Sequence, residues 1–207
     1  MALPRKEVHD DILVPEHYKR MKRGPQVMLP KDIGMVIAYS GVGKESFCID
    51  AGTGSGWLAV SLGRICKKVV TYDKREDFLE IGKRNAEREG LTNIVFKEGD
   101  VTEKIEEVDA DLVALDMPDS QKAVRNSWGA LREGGIIFGY LPHTEQVSAF
   151  VEELGVVGFS NIITLEVIVR DMLVRKEGTR PSTKGVWHTG YLVFAKKELS
   201  PAAKRQS

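Results

Sequence analysis

Four aspartates stand where apolar, β-branched runs stop. Asp50 closes Phe47-Cys48-Ile49, Asp73 follows Lys68 to Tyr72, Asp100 follows Ile94-Val95-Phe96 by a short step, and Asp116 follows Ala110 to Leu115. When strands alternate with helices, the strands lie parallel and their carboxyl ends share one edge, so these four acids meet there. Carboxylates so gathered repel one another unless a ligand or hydrogen bonds offset the repulsion. Right after Asp50 comes Gly52-Thr53-Gly54-Ser55-Gly56, then the amphipathic run that opens with Trp57 and Leu58. Glycines there free the backbone to turn sharply and let a ligand lie against bare main chain. Ser55 is expected to cap the following helix, whose first N–H groups point into the turn.

The spacing G-x-G-x-G differs from the G-x-G-x-x-G of dinucleotide sites, and no Walker lysine follows. A turn with an acid before it and no phosphate clamp suits a nucleoside with a zwitterionic amino-acid tail, and S-adenosylmethionine is such a ligand. Asp73, about twenty residues beyond the glycines, is placed to accept from two ribose hydroxyls. Asp100 is placed to take the exocyclic amine of adenine. Asp50, beneath the turn, is placed to reach the amino-acid ammonium, directly or through water.

The elements that must hold these residues read as one α/β domain. A short helix over about 32–39, capped by Asp32, leads into strand 1 at about 46–51 and a helix at about 56–66. Strand 2 covers 68–72, a helix 75–89 with Phe78, Leu79 and Ile81 inward, strand 3 94–96 and strand 4 110–115. A helix at about 119–131, strand 5 at 136–140 and a helix at 143–155 follow. Two β-rich stretches, about 160–172 and 186–196, come without a full helix between them and are expected to form a hairpin. The fold expected is α/β: a Rossmann-like, doubly wound, seven-stranded, mostly parallel sheet with an antiparallel edge strand. Residues 1–31 read as a basic arm or linker, 32–198 as the catalytic domain, and 199–207 as a tail.

With 207 residues, 42% apolar and 29% charged, the chain has the composition of an ordinary globular domain. No apolar run reaches membrane-spanning length. Formal net charge is zero, so any nucleic-acid binding must come from local basic patches. The two cysteines form no disulfide framework and point to a reducing, cytoplasmic setting. Neither His143 nor His188 has the partners a zinc site needs, and no metal is expected.

Several segments together resemble the tRNA (adenine, N1)-methyltransferases that modify position 58 in the TΨC loop. They are Met21-Lys22-Arg23-Gly24-Pro25-Gln26-Val27-Met28-Leu29-Pro30-Lys31-Asp32, the glycine turn from Asp50, Ala114-Leu115-Asp116-Met117-Pro118, Tyr140-Leu141-Pro142-His143-Thr144-Glu145-Gln146-Val147, and His188-Thr189-Gly190-Tyr191 onward. The glycine turn is shared by most class I methyltransferases, while the other segments are more specific. The resemblance spans roughly residues 18–197. It implies S-adenosylmethionine, a tRNA substrate and a homotetramer, and it brings Gln26 to the cofactor mouth. It also implies a small N-terminal β-rich domain; only about thirty residues stand ahead of the catalytic domain, so the chain reads as lacking most of it. In many relatives a tryptophan follows the proline of the strand 4 segment, and Asp119 stands there instead.

On this reading, Asp116 accepts from the N6 amine of the target adenine and offsets the charge that develops on the ring. Tyr140 stacks on the base or closes over the methyl donor, or is an ordinary rim tyrosine. His188 is either a structural histidine or a substrate contact, and His143 a helix-start residue. The basic arm, with Arg20, Lys22 and Arg23, is either a solvated leader or a strip that meets RNA. A loop from Arg175 to Lys184, with Arg180, overhangs the same edge. Met172, Leu173 and Val174 can pair across subunits. Two other readings stay open: a class I methyltransferase for a small molecule such as a corrin precursor, and a scaffolding subunit without catalysis.

Overall fold

The computed structural model describes residues 15–24 and 27–198. Gln26, the arm at 1–14 and the tail from 199 lie outside the described residues, so the expectation for Gln26 does too.

In chain order the elements are α1 (Glu16–Arg20), α2 (Pro30–Ser40), β1 (Phe47–Ala51), α3 (Trp57–Gly63), β2 (Lys68–Asp73), α4 (Glu76–Arg88), β3 (Ile94–Glu98), β4 (Ala110–Leu115), a 3₁₀ turn (Ser120–Ala123), α5 (Val124–Ala130), β5 (Leu131–Leu141), α6 (Thr144–Val157), β6 (Ser160–Glu166), β7 (Met172–Arg175), β8 (Gly178–Pro181) and β9 (Tyr191–Lys196). Seven strands form one sheet in the order β3-β2-β1-β4-β5-β9-β6. The strands from β3 to β5 pair in parallel. β9 inserts between β5 and β6 and is antiparallel to both, so the edge strand β6 runs against its one neighbour.

Side chains alternate across this sheet with the period of two that a pleated strand imposes. Cys48, Leu112, Ala114, Phe138, Leu192 and Phe194 face one way, packed under α2, α3 and α4. Ile49, Val113, Leu115, Ile137 and Val193 face the other, packed under α5 and α6 with Phe150 and Leu154. Asp50 shares the parity of Cys48, which puts a carboxyl in the middle of an apolar strand.

Among the described residues, the expected arm is packed onto the domain from α1 onward. Tyr18 is buried, its hydroxyl 2.7 Å from Ser61 Oγ and its ring 4.8 Å from that of Trp57. Met21 and Met28 join the same core. Buried Asn85 of α4 accepts from the Lys22 N–H at 2.8 Å and donates to the Lys22 carbonyl at 2.9 Å and the Ser55 carbonyl at 2.8 Å. The expected boundary at residue 31 falls inside the first turn of α2, in one continuous core.

Several local expectations are corrected. Asp32 does not cap α2; Pro30 opens that helix, as its fixed φ favours, and the Asp32 carboxylate reaches tertiary partners instead. Ser55 does not cap α3, which follows Gly56 at φ +76°. The segment 119–131 splits into the 3₁₀ turn and α5, and β5 starts at Leu131 rather than 136. Gly134-Gly135 reads as a turn in sequence, yet β5 continues through it: the β4 pairing steps from Ala110–Leu131 to Leu112–Ile136, and the two glycines bond to Lys197 instead. A Cβ on Gly135 would stand 3.0 Å from the Ala110 carbonyl oxygen, so glycine here permits a bulge rather than ending the strand. The expected loop at 175–184 contains a hairpin, with Arg175 paired to Gly178 across Lys176-Glu177.

Candidate active site

The strand order reverses between β1 and β4, the place where an open α/β sheet leaves a crevice outside its carboxyl ends. The Asp116 N–H donates to the Ala51 carbonyl at 2.8 Å, which ties the two strand ends together. Gly52 then passes so close that a Cβ on it would lie 2.0 Å from the Asp116 carbonyl oxygen, at φ +92°. No other residue type fits there. Gly56 answers to a different demand: a Cβ on it would meet Gly82 Cα at 3.0 Å, so this glycine brings α3 and α4 together rather than lining a ligand.

A cleft of about 830 Å³ opens at this edge, lined by Gly52, Gly54, Ser55, Asp73, Asp100 and Asp116 among others. Phe78, Val101, Met117 and Pro118 supply apolar walls. Asp73 Oδ2 accepts from the Gly54 N–H and Oδ1 from the Arg75 N–H, both at 3.0 Å, so the turn and the carboxylate hold each other. Each oxygen keeps acceptor capacity toward the cleft. Asp100 Oδ1 accepts from the Thr102 N–H and hydroxyl at 2.9 and 2.7 Å, and Lys74 pairs with Oδ2. Burial works against ionisation there, but Lys74 and Thr102 hold the Asp100 carboxyl below its usual range. Ser55 Oγ is buried and lacks a hydrogen-bond partner among the described residues, a hydroxyl awaiting one at the cleft wall.

Asp50, Thr53 and Gly56 are not on the cleft wall. Asp50 Oδ2 accepts from Thr71 Oγ1 at 2.6 Å, and Thr71 Oγ1 lies 2.6 Å from Thr53 Oγ1. This buried chain supports the turn from below, and the expected direct reach of Asp50 to an ammonium is corrected accordingly. Burial, with the charges of Asp116 and Asp73 nearby, pushes the Asp50 carboxyl up to about 7.

A second, smaller cavity of about 280 Å³ adjoins the first. Arg23, Met28, Asp116, Tyr140, His188 and Thr189 are among its walls. Asp116 belongs to both cavities. Its carboxylate has no hydrogen-bond partner among the described residues, and burial alone pushes it up to about 7. Behind this cavity Asp32 is fully buried. It accepts from Lys31 Nζ at 2.7 Å, the Thr189 hydroxyl at 2.9 Å and the Tyr140 hydroxyl at 3.2 Å. A Cβ on Gly190 would touch the Tyr140 ring at 2.9 Å, so the glycine makes room for it. His188 has Nδ1 2.7 Å from Glu166 Oε1 and Nε2 3.1 Å from the Pro142 carbonyl. Both partners are acceptors, an arrangement that favours the protonated imidazole; Glu166 and then Pro142 raise it above its ordinary value.

The expected RNA contacts divide. Arg23 stands at the second cavity, while Arg175 and Arg180 are exposed on the β7–β8 hairpin. Arg20 is held by Glu89 at 3.0 Å, and Arg64 binds the same buried carboxylate at 3.0 Å. That triad ties α1 to the domain through the Arg20 guanidinium, whose side chain is otherwise exposed. Sequence reasoning missed the tertiary roles of Asp32, Asn85 and Thr71; Asp32 carried a signal only as part of the Pro30-Lys31-Asp32 lead-in.

The strand order, the glycine turn on β1 and the acids on β2 and β4 define a class I methyltransferase. The family model described as the GCD14 subunit of the tRNA methyltransferase complex matches residues 14–181. A tRNA (adenine(57)-N(1)/adenine(58)-N(1))-methyltransferase, TrmI, of Methanocaldococcus jannaschii is 37% identical over 91% of this chain and 77% of that protein. Among solved structures, tRNA (m1A58) methyltransferase TrmI of Aquifex aeolicus superposes with TM-score 0.81 at 26% identity, over 87% of this chain and 74% of that one. A SAM-dependent O-methyltransferase of Thermotoga maritima superposes with TM-score 0.84 at 32% identity, over 89% and 71%. The chain belongs to the GCD14 tRNA methyltransferase family.

Proposed function

We propose that the protein transfers a methyl group from S-adenosylmethionine to N1 of adenine in the TΨC loop of tRNA, at position 58 or at 57 and 58. The observation that carries this reading is Asp116, one carboxylate walling both a cofactor-sized cleft and a smaller cavity beside it. The larger cleft suits the cofactor on three counts: its volume lies in the range of small-molecule sites, Asp73 retains acceptors for a diol, and Ser55 Oγ is a buried hydroxyl in search of a partner. When bound, S-adenosylmethionine supplies an electrophilic methyl on a sulfonium.

The chain's own part is positioning and electrostatics. Asp73 would hold the ribose hydroxyls, with Phe78 and Met117 as apolar walls. For Asp100 to accept from the cofactor amine, the Lys74 ammonium must move off Oδ2. In the second cavity Asp116 would accept from the N6 amine of the target adenine and offset the positive charge that grows on the alkylated ring. Guanine presents an oxygen at that edge and is disfavoured. Adenine N1 carries a free lone pair at neutral pH, so no base is needed to unmask it. His188 agrees with this, because both of its nitrogens are already engaged within the protein, by Glu166 and by the Pro142 carbonyl. An oxygen nucleophile would need such a group.

The target adenine must leave the tRNA fold to enter this cavity, at a cost of a few kcal/mol that backbone contacts must offset. Arg23 at the cavity, and Arg175 and Arg180 on the hairpin, are placed to make them. Exposed Met172 and Val174 on β7 give that hairpin an apolar face for pairing across subunits of a homo-oligomer. Free Cys48 and Cys66 suit a reducing cytoplasm. The test is incubation with unmodified tRNA and S-adenosylmethionine, then digestion and mass spectrometry. We expect 1-methyladenosine in the TΨC-loop fragment. Transfer to a small acceptor with none to tRNA would overturn the reading.

A further inference from the structure

Tyr140 does not stand alone at the second cavity. Its phenol donates to Asp32 Oδ2, and Asp32 lies wholly inside the protein, away from the cavity wall. The other acceptor sites of that carboxylate are taken by Lys31 and Thr189. Lys31 in turn donates to the Val167 carbonyl and to Thr189 Oγ1, each at 2.7 Å. Every charged or polar group facing Asp32 is therefore a donor, and the cluster is closed on itself. Gly190, just before β9, leaves room for the ring, since a Cβ there would strike the phenol. The cluster joins four distant parts of the chain: the start of α2, the end of β5, the exit of β6 and the approach to β9. A buried ion pair is weak evidence for stability, because removing two charges from water costs as much as the pair returns. A role in fixing geometry explains it better.

We propose that Asp32 is a positioning residue for methyl transfer: it accepts the hydrogen bond of the Tyr140 hydroxyl, fixes the ring at the second cavity, and leaves the phenol oxygen able only to accept from that side. An oxygen held that way favours electron-poor partners. The amine of an incoming purine, and ring C–H groups that become more acidic as N1 is alkylated, are such partners. A phenol free to rotate would present its O–H to the cavity as a donor, which suits a carbonyl-bearing base instead. Burial raises the Tyr140 phenol well above its ordinary range, so the oxygen stays protonated while it plays this part. The inference rests on the proposed function and deepens it: the polarity of the base pocket is set by a residue that never touches the base.

The experiment is a double-mutant cycle on the full chain, with Asp32→Asn, Tyr140→Phe and both together, assayed for kcat and KM with unmodified tRNA and for S-adenosylmethionine affinity by calorimetry. Exchanging an ionised acceptor for a neutral amide weakens a hydrogen bond by roughly three- to ten-fold. We expect D32N to lower kcat by about that factor with cofactor affinity unchanged, and to add nothing on the Tyr140→Phe background. Equal losses on both backgrounds would show that Asp32 only supports the fold and would overturn the inference. Unchanged kcat in D32N would overturn it as well. If D32N unfolds because Lys31 loses its counter-ion, the neutral pair K31Q/D32N takes its place in the same cycle. A wild-type chain that binds the cofactor but methylates no tRNA would overturn the proposed function and this inference together, whereas additive losses in an active enzyme overturn this inference alone.

Discussion

Replacing Asp116 by asparagine should separate stability from catalysis in opposite directions. The carboxylate has no hydrogen-bond partner among the described residues, so asparagine orphans nothing, and the main-chain bond from Asp116 to Ala51 is kept. Burial raises the carboxyl from its ordinary value to about 7. The folded state therefore binds more protons than the unfolded chain between about pH 4 and 7. Stability tied to this group is present at low pH and is lost as pH rises through about 7. Three pH units correspond to at most about 4 kcal/mol, and to less here because the carboxyl still meets water in the cleft. D116N should melt at the wild-type temperature or higher at pH 8. Its kcat should fall by about 10²–10³, the usual cost of removing one preorganised group that stabilises transition-state charge. Wild-type kcat/KM should rise with pH through about 7 as the carboxylate ionises, and that limb should vanish in D116N. Asp50 titrates in the same range beneath the turn, so the limb must survive in Asp50→Asn if it belongs to Asp116. Radiolabelled methyl transfer to unmodified tRNA and calorimetry with S-adenosylmethionine read these quantities. A D116N enzyme within three-fold of wild-type turnover, or one that fails to fold, would refute the reasoning.

Asp50→Asn itself should become more stable relative to wild type as pH rises from 4 to 8, by a few kcal/mol, because it removes a carboxyl whose ionisation burial opposes; denaturant melts across that range measure it. Asn85→Leu leaves the Lys22 N–H and carbonyl and the Ser55 carbonyl unpaired, which should cost about 2–4 kcal/mol. It should also weaken S-adenosylmethionine binding more than it lowers saturated turnover, as calorimetry and kcat would show. Arg175→Ala with Arg180→Ala should flatten the dependence of log affinity for tRNA on log salt by about 0.7–0.9 for each phosphate that the arginines neutralise. An unchanged slope would mean that the β7–β8 arginines are merely solvated.

Strand 4 at 110–115 was legible to the residue, and β1, β2 and α4 to within a residue or two, because buried parallel strands and amphipathic helices write their periods directly into the chain. The hairpin at 172–181 was not, since Lys176-Glu177 carries none of the turn chemistry that marks a two-residue loop. β5 begins five residues before its apolar run suggests, because Gly134-Gly135 signals a turn in sequence and forms a bulge in the sheet. Of the acids, Asp73, Asp100 and Asp116 line the cleft as their strand-end positions suggested. Asp50 lies one residue inside β1, and in a strand one residue decides which face, and which dielectric, a carboxyl meets.

The sequence alone determined the class of chemistry. Glycine is demanded where Gly52 crosses Asp116, and carboxylates are demanded at the ends of parallel strands. Both demands are local and survive as residue types at fixed spacing. Only the tertiary structure decided which groups work as pairs. Asp32 with Tyr140, Asn85 with Ser55, and Arg20 with Glu89 are separated by 108, 30 and 69 residues. Their partnership depends on side-chain direction after the whole sheet has formed, and no local pattern encodes a direction that packing alone sets.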